Sequence, residues 1–246
     1  MGFTMEHGRH LDREAVSSRL RPESANVLES EEWRHPWRAR CHQGYEQPLL
    51  RIWDEHSGSQ PKNHSMLSRA PDMRLDTYQK RKSSLANHLD YREWIAGPYI
   101  SFTTSPTAIE DHVRTRRRKD RGSQTLTVID PKQRIANGLP VLDVLTEMEN
   151  YEILDPYGLG NHYYINEYVC LWEVTEAEIV GHWEWDDLEQ NENWYENIVM
   201  PAFKEFTDNA SYPSSEEPHT SNSTEGSDDD LLSRFKELSG RLVTFA

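Results

Sequence analysis

Three short segments carry residue types that could do chemistry together. Leu49-Leu50-Arg51-Ile52-Trp53-Asp54 sets a single arginine in an apolar run. A cation so flanked either pairs at the surface or faces a cleft, where its planar fork suits a phosphate or pyrophosphate. Gly97-Pro98-Tyr99-Ile100-Ser101-Phe102-Thr103-Thr104-Ser105-Pro106 ends in hydroxyl residues ahead of a helix-like run from Thr107 to Val113. Thr104 or Ser105 can cap that helix with no catalysis at all. Ser101 alternates with Ile100 and Phe102 and therefore faces the other side of its strand. Asn161 to Val169 places Glu167 at the mouth of an apolar stretch. There it is either a solvated acid or a carboxylate for electrostatic work. The histidines His88, His112, His162 and His182 lack ligand spacing of the His-Glu-x-x-His kind, so no metal is assigned.

These residues need a frame to hold them. Enrichment in β-branched and aromatic residues marks strands at 49–53, 99–103, 125–129 and 168–174. Helical patterns lie at 83–94 and 107–118, with another at 191–206 around Pro201. The elements do not alternate as in a doubly wound sheet, and neither a Gly-x-Gly-x-x-Gly motif nor a P-loop occurs. An α+β fold follows. Residues 1–40, charged around Glu29-Ser30-Glu31-Glu32, read as a flexible N-terminal arm with one short helix. The folded domain spans 41–206. Residues 207–230 are rich in Ser, Asn, Asp, Glu and Pro and read as a disordered linker. Leu231, Leu232, Phe235, Leu238 and Leu242 then recur at helical spacing behind Asp228-Asp229-Asp230. They predict an amphipathic helix over 231–246 that docks on a partner or back on the domain.

The order Arg51, Ser101, Glu167 resembles the Arg–Ser–Glu class of ADP-ribosyltransferases, in its cholera-toxin-like branch. Tyr99-Ile100-Ser101 with its hydroxyl turn and helix is similar to that branch's Ser-Thr-Ser segment. Thr127-Val128-Ile129-Asp130 and Pro140-Val141-Leu142-Asp143-Val144 resemble the segments that follow it. Glu167, the run Glu173 to Ile179 and Gly181-His182-Trp183 resemble the catalytic strand and the turn after it. The same order is similar to a fungal family of Arg-Ile/Val-Trp/Tyr-Asp proteins with a Glu-Tyr-aliphatic-Trp segment. The likeness covers about residues 48–185. It implies a mixed, mainly antiparallel split β-sheet with flanking helices. It also implies a mono-ADP-ribosyltransferase that takes NAD as substrate, cleaves the nicotinamide–ribose bond and transfers ADP-ribose to a protein or nucleic-acid acceptor. By the same resemblance Glu167 would stabilise the oxocarbenium-like transition state, and Arg51 would hold the NAD pyrophosphate. Ser101 would orient the ribose or Glu167, and Thr103 would complete the NAD-binding set. Tyr163 or Tyr164 would stack on nicotinamide or serve as core or rim. Two positions depart from the pattern. Phe102 stands where the branch has Thr, and Ile165 stands where arginine-modifying members carry Glu or Gln. The second departure also fits a catalytically silent domain of this fold serving as a protein-interaction module.

Charge narrows the partners. The 246 residues carry a formal net charge of −15. Residues 1–149 hold 23 basic and 21 acidic side chains, and residues 150–246 hold 4 and 21. Such a balance argues against a general nucleic-acid binder, which needs a basic face to displace counterions. It favours an acceptor or partner with a cationic surface. A mean hydropathy of −0.87 speaks against a membrane protein. Two cysteines are too few for a disulfide framework, and Cys170 reads as a buried, reduced thiol. The N-terminus has no apolar signal region, and Glu6 breaks a myristoylation match. The expected compartment is the cytoplasm or nucleus. The basic run from Arg114 to Arg121 reads as a solvated helix end, or as a surface for nuclear import or an acidic partner.

Overall fold

The computed structural model describes residues 11–22, 30–37, 45–62, 64–92 and 94–210. Nine strands are present among them: β1 (Leu49–Trp53), β2 (Pro61–Lys62), β3 (Ser65–Leu67), β4 (Tyr99–Thr103), β5 (Thr125–Ile129), β6 (Val141–Asp143), β7 (Glu167–Leu171), β8 (Glu173–Val174) and β9 (Ile179–Glu184). Six form an antiparallel sheet in the order β6-β7-β4-β1-β5-β9, and β2-β3-β8 form a smaller one. With the helices that flank them, this is the α+β, mainly antiparallel architecture the sequence implies. The large sheet is not evenly knitted. Strand β1 runs in register with β5 along its whole length, and β4 does so with β7. Between β1 and β4 the register is a single pair, Leu50 opposite Thr103. The two halves splay from that point, and the resulting gap is where a ligand can enter.

Local chemistry explains the helices beside the gap. In α3 (Tyr78–Leu89) the Thr77 side chain caps the N-terminus, and Arg81, Leu85 and Leu89 form one buried stripe. The helix ends there because Asp90 leaves it for an extended backbone, with φ −88° and ψ 93°. The helix expected to reach residue 94 therefore stops at Leu89, and Tyr91 and Trp94 lie in a loop. In α4 (Pro106–Arg118) Ser105 is the cap, accepting from the Ala108 N–H at 3.2 Å, and Pro106 opens the first turn. Its Ile109 and Val113 pack with Leu50, Ile52, Leu126 and Val128 from β1 and β5. Toward the C-terminus, Tyr195–Val199 form a π-helical turn, and α8 (Met200–Asn209) carries the helix past residue 206.

Residues 11–22 and 30–37, within the expected arm, pack on the domain. Helix α1 (Arg13–Leu20) contributes Val16 and Leu20, and the turn after α2 (Glu31–Arg34) contributes Trp37, to the core formed by Leu85, Tyr99, Leu142, Val169 and Leu171. Arg81 locks this attachment. Its guanidinium lies 4.2 Å from the centre of the Trp37 ring and donates to the Leu75 and His35 carbonyls and to Glu32. A few large buried side chains anchor a mostly polar segment, which is why composition alone suggested an arm. The C-terminal helix expected over 231–246, and the linker beyond residue 210, lie outside the described residues.

Candidate active site

Arg51, Ser101, Thr103 and Glu167 all line one cavity of about 470 Å³ at the gap between β1 and β4. Arg51 donates from Nη1 to the Ser101 carbonyl at 3.0 Å and from Nη2 to the Ser59 carbonyl at 3.2 Å. Among the described residues no carboxylate pairs with it, and its buried Nε has no partner. Burial, with Arg116 nearby, pushes its pKa down to about 10, which still leaves it charged at neutral pH. A buried cation held only by carbonyls is an uncompensated charge that an anionic ligand would complete.

Ser101 has a partner that sequence reasoning missed. His88, from α3, lies with Nε2 2.9 Å from Ser101 Oγ. Burial, then the charges of Arg51 and Arg69, push the imidazole down to about 4, so it stays neutral at physiological pH. The Tyr99 ring packs against it at 5.0 Å, and the Tyr99 hydroxyl is in turn 2.9 Å from Ser84 Oγ. Both Ser101 and His88 therefore hold fixed orientations. The only sequence signal was a polar residue at position 88, one turn beyond Leu85 and beside the buried Leu89.

Glu167 opens β7 directly opposite Thr103. The residue before it, Asn166, adopts a positive φ of 65°, a conformation that costs free energy outside glycine. Two bonds hold it there: the Asn166 carbonyl accepts from Thr103 Oγ1 at 3.0 Å and from the Thr104 N–H at 3.1 Å. The Thr103 hydroxyl also accepts from the Ser105 N–H. Thr103 thus borders the cavity with its hydroxyl already engaged, and it fixes the turn that presents Glu167. Burial pushes the Glu167 carboxyl up to about 8, with the Thr103 hydroxyl pulling weakly the other way.

At the rim, the structure bears on two readings the sequence left open, and Tyr164 takes the core alternative. Tyr163 and Tyr164 are not among the residues that line the cavity. Tyr164 is buried and donates to Asp155, and Tyr163 points to solvent. The exposed aromatic rings at the cavity are instead Tyr91 and Trp94, 70% and 68% exposed, with the Arg69 guanidinium 4.7 Å from the Trp94 ring centre; Tyr99 and Phe102, also lining it, are buried. The basic run also divides. Arg117 turns away to pair with Asp186 and Glu189, whereas Arg116, Lys119 and Arg121 line the cavity mouth. Arg116 and Arg121 grip the two oxygens of Asp54, whose side chain is fully buried. Burial pushes Asp54 up, but the hydrogen bonds from Arg121 and Arg116 outweigh it and hold the carboxyl below its ordinary value. Cys170 is a free, buried thiol.

Among the described residues no helix is long and apolar enough to cross a membrane. No group of three or more His, Cys, Asp or Glu side chains among them is placed to share an ion. No curated protein matches the chain. Residues 46–188 match a domain of unknown function, DUF7587. That span contains every strand of both sheets and all the cavity-lining residues just described, and the chain belongs to the DUF7587 family.

Proposed function

We propose that this chain is an NAD-dependent mono-ADP-ribosyltransferase whose reaction centre is the cleft between β1 and β4. The observation that carries the reading is the convergence of Arg51, Ser101 and Glu167, 116 positions apart from first to last, on one cavity. Arg51 supplies a fixed cation with an orphaned donor, which suits a pyrophosphate. Ser101, held by His88, presents a hydroxyl to the ribose next to the reacting carbon. Glu167 lies where positive charge would develop as the bond between ribose C1′ and the nicotinamide nitrogen breaks, its electron pair leaving with neutral nicotinamide. The nucleophile of the acceptor then bonds to C1′ and gives up its proton.

The raised pKa of Glu167 fits this chemistry. In the empty cleft the acid form dominates at neutral pH. A cationic nicotinamide ribose beside it favours the ionised form, and the low-dielectric surroundings strengthen that interaction as the oxocarbenium develops. The acidic second half of the chain favours an acceptor protein with a cationic surface. A second reading, a silent domain serving as a protein-interaction module, draws on Ile165. This residue is 54% exposed two positions before Glu167, where no acid assists the acceptor. Incubation of the full chain and a cell lysate with NAD labelled in its adenylate tests between them. The transferase reading expects label on macromolecules, lost with Glu167→Ala. Absence of label with the wild-type chain, alongside intact NAD binding, would establish the silent reading.

A further inference from the structure

We infer that Arg116, Lys119 and Arg121 form a second anion subsite at the cleft mouth for a phosphate monoester on the ligand, so that a 2′-phosphorylated dinucleotide is preferred to NAD. The inference rests on reading the cleft as a dinucleotide site, and it adds which dinucleotide. The cations come from two directions. Arg116 and Lys119 sit at the C-terminal end of α4, and a turn with positive φ at Asp120 and Gly122 brings Arg121 back toward Asp54.

Charge counting shows that this cluster is more than an internal ion pair. One buried carboxylate, Asp54, faces two guanidinium groups, and Lys119 adds an ammonium with no side-chain partner among the described residues. The exposed carboxylates of Asp120 and Glu55 lie beside the turn but pair with none of the three cations among the described residues, so the three share one directly bonded carboxylate. Arg117 provides the contrast on the same helix, since two carboxylates neutralise it. Arg116 and Arg121 keep 20% and 25% of their side-chain surface exposed. The buried Arg121 Nε has no partner among the described residues. Their bonds to Asp54 and Ser57 fix both side chains before any ligand arrives, which removes much of the ordering cost of binding. The pyrophosphate of a dinucleotide brings two charges, matched by Arg51 between the strands and Arg69 at the rim. A phosphate monoester adds roughly −1.5 to −2 more, for three cations that share one bonded carboxylate. A long polyanion fits less well, because the chain as a whole carries −15.

Calorimetric titration of the full chain with NAD, NADP and inorganic phosphate at fixed ionic strength provides the test. NADP should bind about tenfold more tightly than NAD, the worth of one charge-assisted contact. Inorganic phosphate should weaken NADP binding and leave NAD binding in place. Lys119→Ala and Arg121→Ala should each shrink the preference by about fivefold or more. Lys119→Ala removes no side-chain bond among the described residues, so its result does not depend on surviving a folding defect. NAD binding with no preference for NADP, or a preference that survives both substitutions, would overturn the subsite and leave the dinucleotide reading standing. Binding of neither dinucleotide would overturn both.

Discussion

Replacing Glu167 with glutamine should stabilise the protein, and the gain should depend on pH in a defined way. Burial raises the Glu167 carboxyl from an ordinary 4.5 to about 8. The unfolded chain therefore loses this proton near 4.5, while the folded chain keeps it until about 8. Between those values the folded state binds more protons, so stability falls as pH rises. Below 4.5 both states are protonated and the penalty is absent; above 8 it is fully present. At about 1.4 kcal/mol per pH unit the gap sets a ceiling of about 5 kcal/mol. The carboxyl borders an open cleft, and water access and relaxation cut that ceiling to roughly 2 kcal/mol. Glutamine keeps the shape and never ionises. Urea unfolding of wild type and Glu167→Gln, run at about pH 4, 6 and 9, should show equal stability at the lowest pH and a gain of about 2 kcal/mol at the highest. A difference that stays constant with pH, or a glutamine variant that loses ground as pH rises, would refute the reasoning.

Other consequences can be measured in the same preparations. Asp54→Asn leaves Arg116 and Arg121 without their buried counter-charge and should cost about 3 kcal/mol in denaturant unfolding near neutral pH. That cost should fade on acidification, because the depressed Asp54 carboxyl protonates only below its ordinary value. Trp37→Ala removes a fully buried ring and its bond to Glu147; it should cost about 3–5 kcal/mol, whereas a dispensable arm would lose nothing. The pH profile of kcat/KM for NAD, which reports the free chain, should rise toward about 8 with Glu167 and show no inflection between about 5 and 7, since His88 is neutral down to about 4. An inflection near 6.5 that His88→Asn abolishes would contradict that assignment.

What could be read from the sequence, and what could not, follows the range of the interactions. Strands 49–53, 99–103 and 125–129 were legible residue for residue, because alternation and β-branched enrichment are local signals. Of the small sheet only β8 fell within an expected strand, 168–174, which the positive φ at Trp172 splits into β7 and β8; β2 and β3, two and three residues long, gave no signal. Arg51, Ser101 and Glu167 were singled out through chain order, and the fold places them at one cavity. His88 was noted only for lacking metal-ligand spacing, because its role lies in α3 packing beside β4, a relation with no local periodicity. The basic run showed its charges but not their division. Which of its arginines turns toward Asp54, 62 and 67 residues away, is decided only by the packing of α4 on β1. In the N-terminal segment Val16 and Leu20 are one helical turn apart, but two apolar residues in a charged stretch do not register as a core, and Trp37 joins them only in the fold.

The central claim is that Arg51, Ser101 and Glu167 form one NAD-cleaving site. Its most direct test is the rate of nicotinamide release from NAD by the full chain, measured beside Glu167→Gln at about pH 8, where the wild-type carboxyl is half ionised. The account predicts release by the wild type, a fall of at least about a hundredfold in the variant, and NAD affinity within about threefold of wild type. Equal release by the two proteins, or no release by either, would contradict it.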